Sequence, residues 1–142
     1  MINYNHYLKE IGIKNNEYPF LYGQSDCVEP SRWEPDEEGF IAAEFWSLDY
    51  VMACYIYSHL CYFRDYCLYS YPSDLTFEQW KKIINKIIEA FKLYITYEQF
   101  WNEQRNNLLI SNEEKEKMSK HRQHKINNGF RLFAKYFSRF NY

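Results

Sequence analysis

The sequence predicts an all-α protein, a bundle of three main helices at about 47–68, 77–95 and 112–140 with an irregular N-terminal segment packed over it. Three observations predict this class. Apolar residues recur at helical steps in three long stretches, strand-like alternation is absent from the last two thirds, and the 142 residues include only 4 Gly and 4 Pro. So few turn-forming residues do not suit an all-β protein. We predict one domain, 1–142, with 1–40 irregular and 41–142 forming the bundle.

The first main helix lies in the stretch from Phe45 to Phe63, which is apolar on nearly every side. Ser47 is a suitable N-cap, and Asp49 then places negative charge in the first turn, where the helix dipole favours it. A helix that is apolar all round is either central in a bundle or contacts a partner. The predicted inward face consists of residues at three- and four-residue steps: Leu48, Met52, Tyr55, Ile56, His59, Leu60 and Phe63.

The second main helix has the clearest start signal. Thr76 followed by Gln79 is a capping-box arrangement. The apolar stripe after it consists of Phe77, Trp80, Ile83, Ile84, Ile87, Ile88, Phe91 and Ile95. Thr96 with Gln99 predicts that a short helix restarts there.

The last helix begins with the pair Ser111 and Glu114, which repeats the capping signal. It is polar at first and becomes amphipathic from Ile126. Gly129 lies on that seam, where a missing side chain lets two helices approach closely. The predicted stripe is Ile126, Phe130, Phe133, Phe137 and Phe140, with Leu132 and Tyr136 beside it.

The N-terminal 40 residues are the least regular part of the chain. Tyr4, Tyr7, Leu8 and Ile11 predict one short helix before Gly12. The stretch from there to Gly39 contains every Pro but one, so it reads as extended and turn structure.

Charge is unevenly distributed along the chain, although the net charge is only -2. Residues 1–72 carry 4 Lys and Arg against 11 Asp and Glu, whereas residues 73–142 carry 13 against 8. Aromatic residues make up 21% of the chain. The four cysteines, Cys27, Cys54, Cys61 and Cys67, include no Cys-x-x-Cys pair, and with no signal peptide evident they are predicted to be reduced, buried thiols of a cytoplasmic protein.

Three motifs resemble a family of small uncharacterised bacteriophage and prophage proteins. They are WSLDY from Trp46, the Trp80 helix with its KII repeat, and GFRLFAKYF from Gly129, and together they cover roughly 45–93 and 126–140. That family typically reads Trp-x-Leu-Asp, a Trp with a Lys-Met-Ile-x-x-Phe helix, and Gly-Leu-x-Leu-Phe-x-Lys-Tyr-Phe. This chain departs from it at Ile87, Phe130 and Phe140, where the family has Met, Leu and Trp. The resemblance implies the fold and a phage origin, and it supplies no catalytic residues.

A search for catalytic or metal-binding patterns gives no constellation. His121 and His124 are three residues apart, but Lys117 and Lys125 stand where a metal site needs a carboxylate. His59 is expected to be a hydrogen-bonded core histidine. We therefore expect a protein that is not an enzyme, with no metal, no cofactor and no membrane span.

Two binding hypotheses remain. In the first, the basic last helix binds RNA. The candidate residues on it are Lys115, Lys117, Lys120, Arg122, Lys125, Arg131, Lys135 and Arg139. In the second, the protein binds a host protein through exposed aromatic residues such as Trp33, since aromatic and Arg side chains anchor interfaces.

An inhibitor of a CRISPR effector would unite the two hypotheses, because such an effector presents both protein surface and guide RNA. We therefore expect a phage anti-CRISPR protein in the host cytoplasm, whose partner is a CRISPR effector protein or its guide RNA. The alternative is a nucleic-acid-binding or structural phage protein unrelated to defence, with a surface for self-association.

Overall fold

The computed structural model describes residues 5–13 and 34–141, and within these ranges the all-α prediction is confirmed. Helices account for most of them and no strand is present; an isolated bridge pairs Pro35 with Ile41. Two 3₁₀ turns flank the main helices: Ala42–Ser47 lies before the helix that begins at Leu48, and Phe137–Arg139 lies after the helix that ends at Tyr136. The α-helices are α1 (Asn5–Glu10), α2 (Leu48–Tyr66), α3 (Phe77–Ile95), α4 (Tyr97–Asn106) and α5 (Asn112–Tyr136).

The chain divides into two compact units, Met1–His59 and Leu60–Tyr142. The second unit contains the end of α2 and all of α3, α4 and α5. Trp33 and Cys27, together with most of the N-terminal segment that the sequence marks as irregular, lie outside the described ranges. The predictions made for them, and the prediction of a single domain, stay predictions.

The first unit begins with α1, which buries Tyr7 and Leu8 on one side. Gly12 has a φ of 82°, a left-handed conformation that glycine adopts without steric cost. Its N–H donates to the Lys9 carbonyl at 3.0 Å, which closes the end of the helix. The predicted short helix before Gly12 is confirmed.

The inward face predicted for α2 is largely wrong. Leu48, Met52, Tyr55 and His59 are exposed, although Leu60 is buried as expected. Because both sides of α2 are apolar, periodicity alone does not decide which side faces inward. The side that carries small residues lets neighbouring backbone come closer, and it is the one that the protein buries. The buried set in α2 is Val51, Ala53, Cys54, Tyr57, Ser58, Leu60 and Cys61.

The capping box predicted at the start of α3 is confirmed. The Gln79 N–H donates to Thr76 Oγ1 at 3.1 Å, and the Thr76 N–H donates to Gln79 Oε1 at 2.9 Å. Most of the predicted stripe is buried, and Trp80 is almost completely enclosed; Phe77 at the helix start is exposed and Ile83 is half-buried. The buried residues of α3 are Trp80, Ile84, Ile87, Ile88, Ala90, Phe91 and Ile95.

Gly129 lets α5 pack closely against α3, as predicted. A Cβ atom built on Gly129 would lie 2.1 Å from Ala90 Cβ and 2.9 Å from the Lys86 carbonyl oxygen. No side chain fits in that space. On either side of this contact aromatic rings fill the interface, with the Phe91 centroid 4.8 Å from that of Phe130 and the Trp80 centroid 5.8 Å from that of Tyr136.

The end of the last helix differs from the prediction. α5 stops at Tyr136, which is buried, and Phe137 is exposed and not part of the core stripe. A 3₁₀ turn advances by three residues per turn, so the 3.6-residue period no longer holds there. Phe140 nevertheless returns to the core, with its ring 5.3 Å from Trp80 and 5.8 Å from Phe63 at the end of α2.

Candidate nucleic-acid interface

The exposed side of α5 carries a stripe of cations. Lys117, Lys120, Arg131 and Lys135 are exposed, and their spacing places them opposite the buried positions Ile126, Gly129 and Tyr136. At a rise of about 1.5 Å per residue, the distance from Lys117 to Lys135 is about 27 Å. We call these four residues the basic stripe. Lys125 is also exposed, but its helical position is on the side of Tyr136, away from the stripe.

No acidic residue interrupts the chain from Lys117 to Arg139. Glu116 pairs with Lys120 at 3.2 Å, but both side chains are largely exposed. Such a pair adds little stability and exchanges readily for another anion. The basic stripe therefore presents a positive field to solvent along most of α5.

Arg122 does not belong to the basic stripe. Its guanidinium carbon lies 4.8 Å from the ring centroid of Phe100 and 5.9 Å from that of Tyr97, both on α4. Burial against these rings lowers the pKa of Arg122, because the cation loses water. Its Nη2 atom is buried without a hydrogen-bond partner. Arg122 thus belongs to the contact between α4 and α5.

The remaining candidates at the ends of the helix have other surroundings. Arg139 forms an ion pair with Asp74 at 2.8 Å, and this hydrogen bond holds the pKa of the Asp74 carboxyl below its ordinary value. Lys115 is half-buried in the first turn of α5. Both therefore lie outside the basic stripe.

A cleft on α4 was not anticipated from the sequence, although the short helix itself was. Its volume is about 560 Å³. α4 begins directly after Thr96, as predicted, although the Thr96 hydroxyl donates to the Lys92 carbonyl at 2.7 Å and makes no cap hydrogen bond in α4. The signal in the sequence was the pair Tyr97 and Trp101, one turn apart and next to polar residues. The cleft is lined by Tyr97, Glu98, Trp101, Asn102 and Arg105.

The outward side of α2 is a second exposed surface, and it is apolar. Met52 and Tyr55 are 52% and 53% exposed, and Leu48 lies one turn before them. The His59 ring stacks on Tyr55 at 3.7 Å, and its Nδ1 lies 2.8 Å from the Tyr55 carbonyl oxygen. His59 is therefore hydrogen-bonded as expected, but on the surface and not in the core.

The described part of the chain, residues 5–13 and 34–141, also bears on metal sites and membrane spans. No group of three or more His, Cys, Asp or Glu side chains in it is placed to hold a metal ion. No helix in it is long and apolar enough to cross a membrane.

Comparison with known proteins yields no relative: no family model, curated protein or solved structure matches this chain.

Proposed function

We propose that this chain is a phage-encoded binding protein that inhibits a CRISPR effector in the host cytoplasm by holding its guide RNA. The observation that carries the RNA-binding part is the basic stripe. Phosphate neutralisation by Lys and Arg supplies most of the sequence-independent affinity for nucleic acid. The phage origin is supported by the motifs that resemble phage proteins.

In this proposal the protein inhibits by binding the guide RNA and not by a catalysed reaction. A stripe about 27 Å long on a straight helix is long enough to contact several successive phosphates. A guide RNA held along α5 is withheld from its effector or from its target. This role needs rigid positioning of the cations, and the close packing of α5 on α3 at Gly129 provides it.

The test is a charge reversal on the stripe. We expect the triple change Lys117→Glu, Arg131→Glu and Lys135→Glu to abolish retention of a single-stranded RNA in a filter or polarisation assay. Each phosphate contact contributes about 0.7 to the slope of log K against log salt concentration for single strands. The wild-type slope should therefore be near 2 or steeper in magnitude, and it should collapse in the variant. These side chains are exposed, so the helical spectrum should not change.

A matched control changes the net charge equally on another helix. Lys81, Lys82 and Lys86 are exposed on α3, and their replacement by Glu should leave most RNA retention intact. Equal loss in both variants, or no RNA retained by the wild type, would refute the role of the stripe. Undiminished CRISPR interference across effector types in cells that express the protein would refute the counter-defence part.

A second candidate function is supported by the apolar side of α2, which suits a protein partner. In this case the effector protein itself is bound, and Met52→Lys or Tyr55→Ser should abolish its capture while RNA retention stays unchanged. If the surface serves self-association in a structural phage protein, the same variants should shift the mass measured by light scattering. Exposure of Leu48, Met52 and Tyr55 on one side of the helix supports both versions.

A further inference from the structure

The cleft on α4 offers two exposed aromatic rings. Tyr97 is 55% and Trp101 is 36% exposed, and their ring centroids are 6.0 Å apart with an interplanar angle of 72°. A planar ligand that stacks on one of these rings meets the other with its edge. Stacking and edge contacts of this kind are the preferred arrangements between aromatic systems.

The polar groups of the cleft suit the edge of a nucleobase and the phosphate beside it. Arg105 donates a hydrogen bond to Asn102 Oδ1, which orients both side chains. Asn102 offers an amide and Glu98 a carboxylate acceptor for exocyclic amino groups. Arg105 is exposed and offers its remaining N–H groups to a phosphate oxygen.

Arg122 contacts one of the two aromatic rings of the cleft from the side of α5. It lies against Tyr97, a lining residue of the cleft, and its buried Nη2 has no acceptor. The cation over Tyr97 also holds this ring in place before the ligand arrives.

We propose that the α4 cleft receives one unpaired base of a single-stranded RNA. The inference rests on the proposed function and adds the class of ligand to it. Bases in a duplex are stacked on one another, whereas unpaired bases are free to stack on protein rings. The protein therefore selects single-stranded over double-stranded RNA.

The experiment compares Trp101→Ala with Tyr69→Ala, a change at an exposed aromatic residue outside the cleft. The probes are a 12-nucleotide single-stranded RNA, a duplex of the same length and a single strand that carries one abasic site. Loss of one stacked base costs about 1–3 kcal/mol, so Trp101→Ala should weaken binding of the single strand roughly 5- to 150-fold. Tyr69→Ala should weaken it less than about 2-fold, within the range of ordinary surface changes.

Two readouts separate stacking from a loss of charge or fold. The salt dependence of binding should keep its slope in Trp101→Ala, because no phosphate contact is removed. The abasic strand should bind the wild type more weakly but bind Trp101→Ala no more weakly than the intact strand does. Unchanged affinity in Trp101→Ala, or equal losses for strand and duplex, would overturn the inference.

A second experiment distinguishes failure of the proposed RNA-binding function from failure of the base site in the cleft. If the wild type retains no RNA, adenosine monophosphate is titrated while tryptophan fluorescence is followed. Quenching that disappears in Trp101→Ala supports the cleft as a base site although the stripe fails. No quenching in the wild type overturns both.

Discussion

α2 and α3 have the same length, 19 residues each, but they distribute their apolar surface in opposite ways. α3 buries its bulky side chains, Trp80 among them, and exposes lysines. α2 buries Ala53, Cys54 and other small side chains, and it leaves Met52 and Tyr55 exposed. The difference shows that an apolar helix can bury one side and still leave a row of large apolar side chains, Leu48, Met52 and Tyr55, outside the core. Its exposed apolar area is then available to a partner.

The largest effect is expected at the centre of α3. Trp80→Ala should lower the free energy of unfolding by about 3–5 kcal/mol, because it removes an enclosed aromatic side chain and leaves a cavity. Denaturant unfolding followed by circular dichroism measures this. Phe137→Ala is the control, since Phe137 is exposed on the same unit and should change stability by less than about 1 kcal/mol. Equal midpoints for the two variants would mean that α3 is not the core helix.

Two tyrosines on opposite sides of α2 test its orientation with the same chemical change. Tyr57 is 7% exposed and Tyr55 is 53% exposed. Tyr57→Ala should cost about 3 kcal/mol or more, as expected for a buried aromatic side chain. Tyr55→Ala should cost at most about 1 kcal/mol, mainly from the lost stack on His59. The reverse order of the two midpoints would restore the orientation predicted from periodicity.

The close approach of α5 to α3 tests the packing of α3 from its neighbouring helix. Gly129→Ala should destabilise the protein by about 1–3 kcal/mol despite the better helix propensity of Ala, because its Cβ overlaps Ala90. Adding Ala90→Gly should recover part of the loss, since it removes the atom in conflict. A thermal melt of the single and double variants decides this, and a Gly129→Ala protein as stable as the wild type would contradict the packing.

The fold of α3 and α5 could be predicted because their sequences contain one apolar stripe each and explicit caps. Thr76 with Gln79, and the Glu114 N–H donating to Ser111 Oγ at 3.2 Å, place the helix starts where the pattern puts them. The orientation of α2 could not be predicted in the same way. Hydrophobicity does not distinguish its two apolar sides, and side-chain size has to decide.

The candidate site was only partly predictable, because the number of cations in a sequence does not show on which side of the helix each one lies. The sequence prediction therefore placed Arg122 among the RNA-binding cations of the last helix. Extending the core positions Ile126 and Gly129 back by one turn puts Arg122 on their side of the helix, against α4. The cleft beside it depends on which rings of α4 remain uncovered, and that is decided only when the helices pack.

The contact between Gly129 and Ala90 also bears on the order of folding events. α3 and α5 contain 19 and 25 residues, longer than the roughly 12–15 residues below which isolated helices are marginal, and each begins with a side-chain cap. The chain between them, 96–111, contains α4 and two short connections, so the contacts between α3 and α5 are local in sequence. We expect this helical hairpin to form the folding nucleus. Substitutions at Gly129 should then slow refolding, whereas those at Tyr57 should mainly accelerate unfolding.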